Sequence, residues 1–477
     1  MPPRTEPVPP VRLMSAPSPS PVNDAESAAG SGNRTWPPGL RYAFGFAALN
    51  AASYQIACGN PVILYARWLE AGATVLGLIA GMVPLLNLLQ IPAARHVDRI
   101  GPKRMVLRGW TVRVALVFLL AAVPLTGSFL ERSTRLALLL SVLFAFNLVR
   151  GLSVCGWLPW ITALVPAKLR GRYLAVEAAW VNGGGLAAFA MVAWLLGVQP
   201  SEMRFALVFL FSAGCGTLSL AFLRRMPEAT PPEIVVSRSR QPVPWRAIAA
   251  HPPFRRILRQ SACYQLATGG LLAFTTAFLK TRLGFAEAHV MLLGATTFVG
   301  GLSNVWLLGR WLDRIGSKPV LWMAQGMWVG VLGCFAAVAG GWLPPAGGLL
   351  AVLLFLAGLG LAAVQMSTLR LLMGTIPAMG RSHFFALFSV VNGLAAGLAP
   401  ILWGLLIDAA RLIETTGWGP LSHRYGLYYL ALAMVMIVAL FLTRPIEEPE
   451  SFDLEKLLRE LLTRSRLRAW LRFWPRV

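Results

Sequence analysis

Charge is scarce in this chain. Only 13% of its 477 residues are Asp, Glu, Lys or Arg, about half of what a soluble protein of this length carries. Carboxylates are the scarcest, 20 against 43 basic residues, and Glu177 alone falls clearly inside an apolar run. The five histidines, His96, His251, His289, His383 and His423, fall near the ends of apolar runs or in a polar linker. The five cysteines, Cys58, Cys155, Cys215, Cys263 and Cys334, lie within apolar runs at no metal-ligand spacing. Such cysteines read as small buried hydrophobes rather than disulfides or ligands. No phosphate-cradling glycine loop or nucleophile–base arrangement occurs, so a nucleotide-driven machine, a membrane-embedded enzyme, a metal centre and a bound cofactor are not expected. Residues 1–36, rich in Pro, Ser and Ala, lack the apolar core and cleavage site of a signal peptide and read as a disordered tail.

What the chain has instead is apolar length. It is 56% hydrophobic with a mean hydropathy of +0.62, and runs of roughly 20 residues recur, each able to cross a hydrocarbon core about 30 Å thick. About twelve spans are expected, at 40–65, 72–94, 104–126, 136–164, 173–197, 203–223, 257–280, 287–309, 319–340, 346–373, 383–408 and 425–443. The fold class is therefore all-α and polytopic. The net charge of +23 does not call for nucleic acid, because its distribution follows the loops. Lys and Arg crowd the loops after even-numbered spans, for example Arg95, Arg99, Lys103 and Arg104, then Lys168, Arg170 and Arg172, then Arg310, Arg314 and Lys318. The opposite loops hold fewer, such as Arg67, Arg132, Arg135 and Lys280. That asymmetry puts both termini and the linker in the cytoplasm. The expected protein is a monomer spanning a plasma membrane of the bacterial inner-membrane type, with the lipid bilayer as its partner.

The chain also repeats itself. Asp98-Arg99-Ile100-Gly101-Pro102-Lys103 returns as Asp313-Arg314-Ile315-Gly316-Ser317-Lys318, an offset of 215. Tyr54-Gln55-Ile56-Ala57-Cys58-Gly59 returns as Tyr264-Gln265-Leu266-Ala267-Thr268-Gly269, and Val181-Asn182-Gly183 as Val391-Asn392-Gly393, both offset by 210. Matches in one order at nearly one offset report a duplication. Two six-span halves, 37–225 and 255–445, are joined by a proline-broken linker at 226–254. In a membrane chain such halves point to a transporter with its site between them. The tail, 446–477, starts a helix at Ser451, with Leu454, Leu457, Leu458, Leu461 and Leu462 at helical spacing. Arginines there alternate with Trp470, Phe473 and Trp474, which suits an anionic leaflet.

Polar side chains at mid-membrane depth are costly, so they face protein or water. Tyr54 and Gln55 lie about 20 Å beyond Arg41, and Tyr264 and Gln265 at the equivalent depth. Asn182 and Asn392 lie about 15 Å beyond Arg172 and Arg381. Together they form a two-fold polar belt that suits a neutral hydrogen-bonding solute such as a sugar, or a zwitterion. They also suit plain interhelical bonding. Arg150, near the midplane of span 4, needs an anion or carbonyls and suits an anionic solute. Glu177 is a candidate carrier of a coupling proton, or a group facing water at the cytoplasmic mouth. Pro61, Pro84, Pro159 and Pro400 are expected to kink their helices.

Twelve spans in duplicated halves, with Asp-Arg-x-Gly-x-Lys after spans 2 and 8, resemble the major facilitator superfamily over roughly residues 37–445. The second copy, Gly309-Arg310-Trp311-Leu312-Asp313-Arg314-Ile315-Gly316-Ser317-Lys318, is the fuller match; the first has Ala94 where the family has glycine. The resemblance implies alternating access, with spans 1, 4, 7 and 10 lining a central cavity. It also implies a cytoplasmic gate built from Asp98, Arg99, Gly101, Lys103, Arg104, Asp313, Arg314, Gly316 and Lys318. In that gate Asp98 faces the start of span 11 near Arg381, and Asp313 the start of span 5 near Arg172. Two other readings of the fold are a non-transporting assembly or lipid-handling factor and a proton-coupled drug antiporter. For the antiporter, Gly156 fits the span-4 motif, but Val154 replaces a glycine, and the span-5 Gly-Pro is missing around Gly183-Gly184-Gly185.

Overall fold

The computed structural model describes residues 36–37, 39–94, 96–165, 170–197, 200–228, 245–375, 381–414 and 423–448. Trp36 and Pro37 belong to a separate unit, Met1–Pro38; the helical body is Gly39–Val477. The expected tail helix and residues 229–244 of the linker lie outside the described residues.

Every expected span corresponds to helix. Span 1 is two helices, Arg41–Cys58 and Asn60–Trp68. Span 2 is Ala73–Asn87, followed by the short helices Gln90–Ala94 and Val97–Ile100. Span 3 is Pro102–Ala122, ending in the 3-10 turn Val123–Ser128. Span 4 is Arg132–Ser153 and Trp157–Leu164, joined by the 3-10 turn Val154–Gly156. Spans 5 and 6 are Arg170–Leu196 and Glu202–Arg225. After a short linker helix, Trp245–Ala250, span 7 is again two helices, Pro252–Thr268 and Leu271–Thr281. Spans 8 to 12 are Glu287–Ile315, Ser317–Ala339, Gly347–Thr375, Arg381–Glu414 and Arg424–Thr443. Among the described residues, ten segments are long and apolar enough to cross a membrane. Span 1 falls short because it carries polar residues, Asn50, Tyr54 and Gln55.

The side where span 1 begins and span 12 ends is called proximal here, the other distal. Proximal turns between spans 2 and 3 and between 8 and 9 are tight, as the repeat implied. Gly101 and Gly316 hold φ of +86° and +93°, a region closed to most side chains. Each half packs around its own aromatic and hydroxyl contacts. Trp110 donates to Asn50 Oδ1 at 3.1 Å, and Ser212 donates to the Ser53 carbonyl at 2.9 Å, tying spans 3 and 6 to span 1. In the other half Phe278, Tyr428, Tyr429 and Phe335 stack between spans 7, 9 and 12. Large apolar side chains such as Phe129, Trp194 and Met203 are left exposed, as a lipid-facing surface requires.

The breaks in spans 1 and 7 do not fall on the prolines. Pro84 and Pro400 sit inside unbroken helices, and Pro61 opens the second helix of span 1. The breaks fall instead on the duplicated glycines, Gly59 and Gly269-Gly270, with Gly270 left-handed at φ +77°. A break frees carbonyls of the preceding turn. In span 7 the Leu266 carbonyl is taken by the Trp403 indole N–H of span 11 at 2.7 Å.

Candidate functional site

The duplicated Tyr-Gln pairs lie in the last proximal-side turns before these breaks. Gln55 and Gln265 are both half-buried, and neither side chain makes a hydrogen bond among the described residues. Their tyrosine neighbours are treated differently. Tyr54 is half-buried beneath a cation, the Arg150 guanidinium 4.8 Å from its ring centre. Tyr264 is buried beside Trp328 and Thr268, and its hydroxyl and the Trp328 N–H close no good hydrogen bond.

Around Tyr54 the first half builds a cationic pocket. Arg150 donates to Asn87 Oδ1 of span 2 at 2.7 Å. Arg113 of span 3 is only 5% exposed. Its guanidinium lies 4.3 Å from the ring centre of Trp110 and 4.8 Å from that of Phe146, its Nε has no partner, and it makes no ion pair among the described residues. The two arginines are electrostatic neighbours of each other and of Tyr54 and Cys58. Cys58 points its thiol to Asn147 Oδ1 at 3.9 Å, and the Asn147 amide donates to the Leu143 carbonyl. No carboxylate among the described residues approaches Arg113.

The remaining expected site residues are less available. Asn392 is buried and its amide is used inside its own half. Its Oδ1 accepts from Ser261 at 2.6 Å, and its Nδ2 donates to the Phe388 carbonyl at 2.8 Å. Asn182 donates to the Ala178 carbonyl of its own helix at 2.8 Å. The structure therefore does not join the two asparagines to the tyrosines in one belt. Glu177 is half-buried beside Tyr173 on span 5.

Of the expected gate, Arg99 and Arg104 are exposed. Lys103 and Lys318 are engaged within their own halves, donating to the Met226 and Arg444 carbonyls at 2.9 Å each. They brace span 3 to the end of span 6, and span 9 to the end of span 12, rather than one half to the other. The side chains of Asp98, Arg172, Asp313, Arg314 and Arg381 lie outside the described residues.

The halves meet at the distal side. A Cβ on Gly77 would run into the Pro400 carbonyl, so spans 2 and 11 pack backbone to backbone. Phe189 and Phe298 meet edge-on at 5.0 Å between spans 5 and 8, and the distal helices of spans 1 and 7 pack together. Asp408 of span 11 caps span 2. It accepts from the Ala73 and Thr74 N–H groups at 3.1 and 2.8 Å and from the Thr74 hydroxyl at 2.6 Å. Over this contact opens a cleft of about 290 Å³ lined by Arg67, Glu70, Asp408, Arg411 and Arg424. It lies at the distal ends of the spans, away from the tyrosines.

The sequence reading overlooked Arg113, Asn87, Asn147, Glu287 and Asp408. The signal for Arg113 was present. It stands eleven residues into span 3, about 16 Å from the proximal end, too deep for a topology charge.

A family model described as the Major Facilitator Superfamily matches residues 43–326 and 291–476. Among curated protein sequences none matches the chain. Solved structures do resemble it. The nucleoside transporter NupG is 15% identical, with a TM-score of 0.61 over 86% of this chain and 98% of its own. The inward-open xylose transporter XylE from E. coli is 15% identical, with a TM-score of 0.60 over 88% and 98%. A bacterial homologue of the human lysosomal transporter Spinster, inward-facing and unoccupied, is 14% identical, with a TM-score of 0.61 over 85% and 94%. At such identities the likeness is one of fold.

Proposed function

Since the chain belongs to the major facilitator superfamily, we propose that it is a secondary transporter that moves a small solute by alternating access, with the site between the halves at the breaks of spans 1 and 7. The observation that carries this reading is the pair Gln55 and Gln265. Duplicated residues at equivalent helix breaks keep half-buried amides that make no side-chain hydrogen bond among the described residues, and a scaffold has no use for them. Discontinuous helices at the junction of repeats are where transporters of other folds bind their cargo. The distal contacts, Asp408 on span 2 above all, support a distally closed state, and the basic proximal loops support placing the open side in the cytoplasm. Arg150 and the Tyr-Gln pairs then line the route. Asp98, Asp313 and their expected partners would form the opposite gate.

The test needs no known solute. In a chain with its cysteines replaced, Gln55→Cys or Gln265→Cys is labelled with a membrane-impermeant maleimide from each side of oriented vesicles. Labelling from both sides is expected, and from the proximal side alone once a Thr74→Cys, Gly404→Cys crosslink holds the distal side shut. Labelling from the distal side that survives the crosslink points to an open channel. Labelling from neither side points to a sealed, non-transporting bundle. Either result defeats the proposal.

A further inference from the structure

We propose that the transported solute carries two negative charges, on carboxylate or phosphate groups, and that Arg113 and Arg150 of the first half receive them. This rests on the transporter reading above. The Arg113 guanidinium is buried, the Arg150 guanidinium is half-buried over Tyr54, and each lies in the field of the other at mid-depth. Like charges in a medium of low polarity repel strongly, and taking each from water is costly unless an anion compensates. Nothing among the described residues does so. Arg113 has two aromatic faces and no hydrogen bond, while Arg150 has one amide oxygen and one ring. In the opposite half the polar groups around Tyr264 are uncharged: Trp328 and the half-buried Thr268 beside it, and the buried Ser261–Asn392 pair one turn away. A ligand is the missing counter-charge. The guanidinium fork matches carboxylate and phosphate oxygens in pairs, and Tyr54 stands beside Arg150 with a further donor. A neutral sugar or a cation would leave the two charges as they are.

The pair also predicts its own cost. A residue kept for binding against the interest of folding stabilises the empty protein when it is removed. Thermal unfolding of the full chain in detergent is measured with succinate, phenyl phosphate and glucose 6-phosphate as dianionic probes. D-xylose and uridine serve as neutral ones, at matched ionic strength. A dianion that binds the folded state raises the melting midpoint by mass action. The expected result is a rise of several degrees with at least one dianion and none with the neutral probes. That rise should vanish in Arg113→Gln and Arg150→Gln and survive in part in Arg113→Lys. Empty Arg113→Gln should melt at or above the wild type. Protection by a neutral probe that persists in Arg113→Gln overturns the anion assignment and leaves the transporter standing. So does a failure of all three dianions, with the two-sided labelling of Gln55→Cys deciding separately whether transport itself survives. A fall of several degrees in both empty glutamine variants would show the arginines to be structural and also defeats the proposal.

Discussion

The two halves share a backbone plan and differ in how they treat charge. Both break their first helix one turn after a Tyr-Gln pair, and both brace their third with a lysine donating to a carbonyl at the end of the sixth. Yet the first half buries cations. Arg113 lies at mid-depth, and Arg135 at the distal end is held by Glu202 at 2.7 Å, the Tyr65 hydroxyl and the Pro124 carbonyl. The second half buries an anion at the same end. Glu287 has a side chain only 3% exposed and meets Lys280 at 2.5 Å, while its other oxygen has no partner. On the proposed reading, duplication supplied the geometry of a two-sided site, and divergence of a few side chains supplied its chemistry. A positive face in one half opposite a neutral face in the other can orient an asymmetric solute, which two identical faces could not.

The distal ion pairs give the largest expected effect. Removing one partner of a buried pair costs about 3–5 kcal/mol, because the other is left uncompensated. Lys280→Ala strands Glu287 with no second donor among the described residues, so a loss toward the lower end of that range is expected. Glu202→Ala strands Arg135 less, since Tyr65 and Pro124 remain, and about 1–2 kcal/mol is expected. Reversible unfolding in mixed micelles ranks the two. The double variant Lys280→Ala, Glu287→Ala should recover much of the first loss. Equal losses in the two halves would mean that the extra acceptors on Arg135 contribute nothing and that the contrast is one of appearance.

Fold and charge were not equally legible. The repeat exposed the two-half architecture, because three short matches at one offset need no knowledge of packing. It also carried the helix breaks, although the prolines drew the attention. Pro84 and Pro400 bend nothing to the point of breaking, since neighbouring helices support a helix that lacks one hydrogen bond. Gly59 and Gly270 adopt backbone angles that end one. Arg113 was hidden by company, following Lys103, Arg104 and Arg108, which are proximal and orient the chain. Asp408 and Glu287 stand at the ends of apolar runs, where an acid looks solvated. Only the packing of span 11 on span 2, and of Lys280 over span 8, gives them partners. For Asn392 the sequence left ligand contact and interhelical bonding both open, because its partner Ser261 sits 131 positions away on another helix.

A second expectation tests the contact that joins the halves. The carboxylate of Asp408 serves two backbone N–H groups and a hydroxyl at the positive end of span 2. Charge-assisted hydrogen bonds are worth about 1.5–3 kcal/mol. Asp408→Ala should therefore shift the balance from the distally closed state by roughly tenfold to a hundredfold. Spin–spin distances between labels on the distal ends of spans 2 and 11 report it directly, with a longer population growing in the variant. An unchanged distribution would mean that the backbone contacts at Gly77 and Pro400 hold the closure without the acid.

The smallest effect separates the halves most cleanly, at the proximal start of their third helices. In the second half Glu448 caps span 9, its oxygens accepting from the Ser317 and Lys318 N–H groups at 3.0 and 2.7 Å. In the first half proline occupies the equivalent position, Pro102, and offers no N–H to cap. The corresponding acid, Glu228, is exposed. Glu448→Gln keeps an acceptor but loses the charge at the helix N-terminus, for which about 1 kcal/mol is expected. Glu228→Gln should change nothing measurable. Both variants are read by hydrogen exchange at the first turn of spans 3 and 9, where faster exchange confined to span 9 is the expected result. Equal protection in both variants would show that Lys318, donating to the Arg444 carbonyl at 2.9 Å, anchors span 9 by itself. Its counterpart Lys103 makes the same contact to Met226 in the first half, so the halves would then be alike at this end after all.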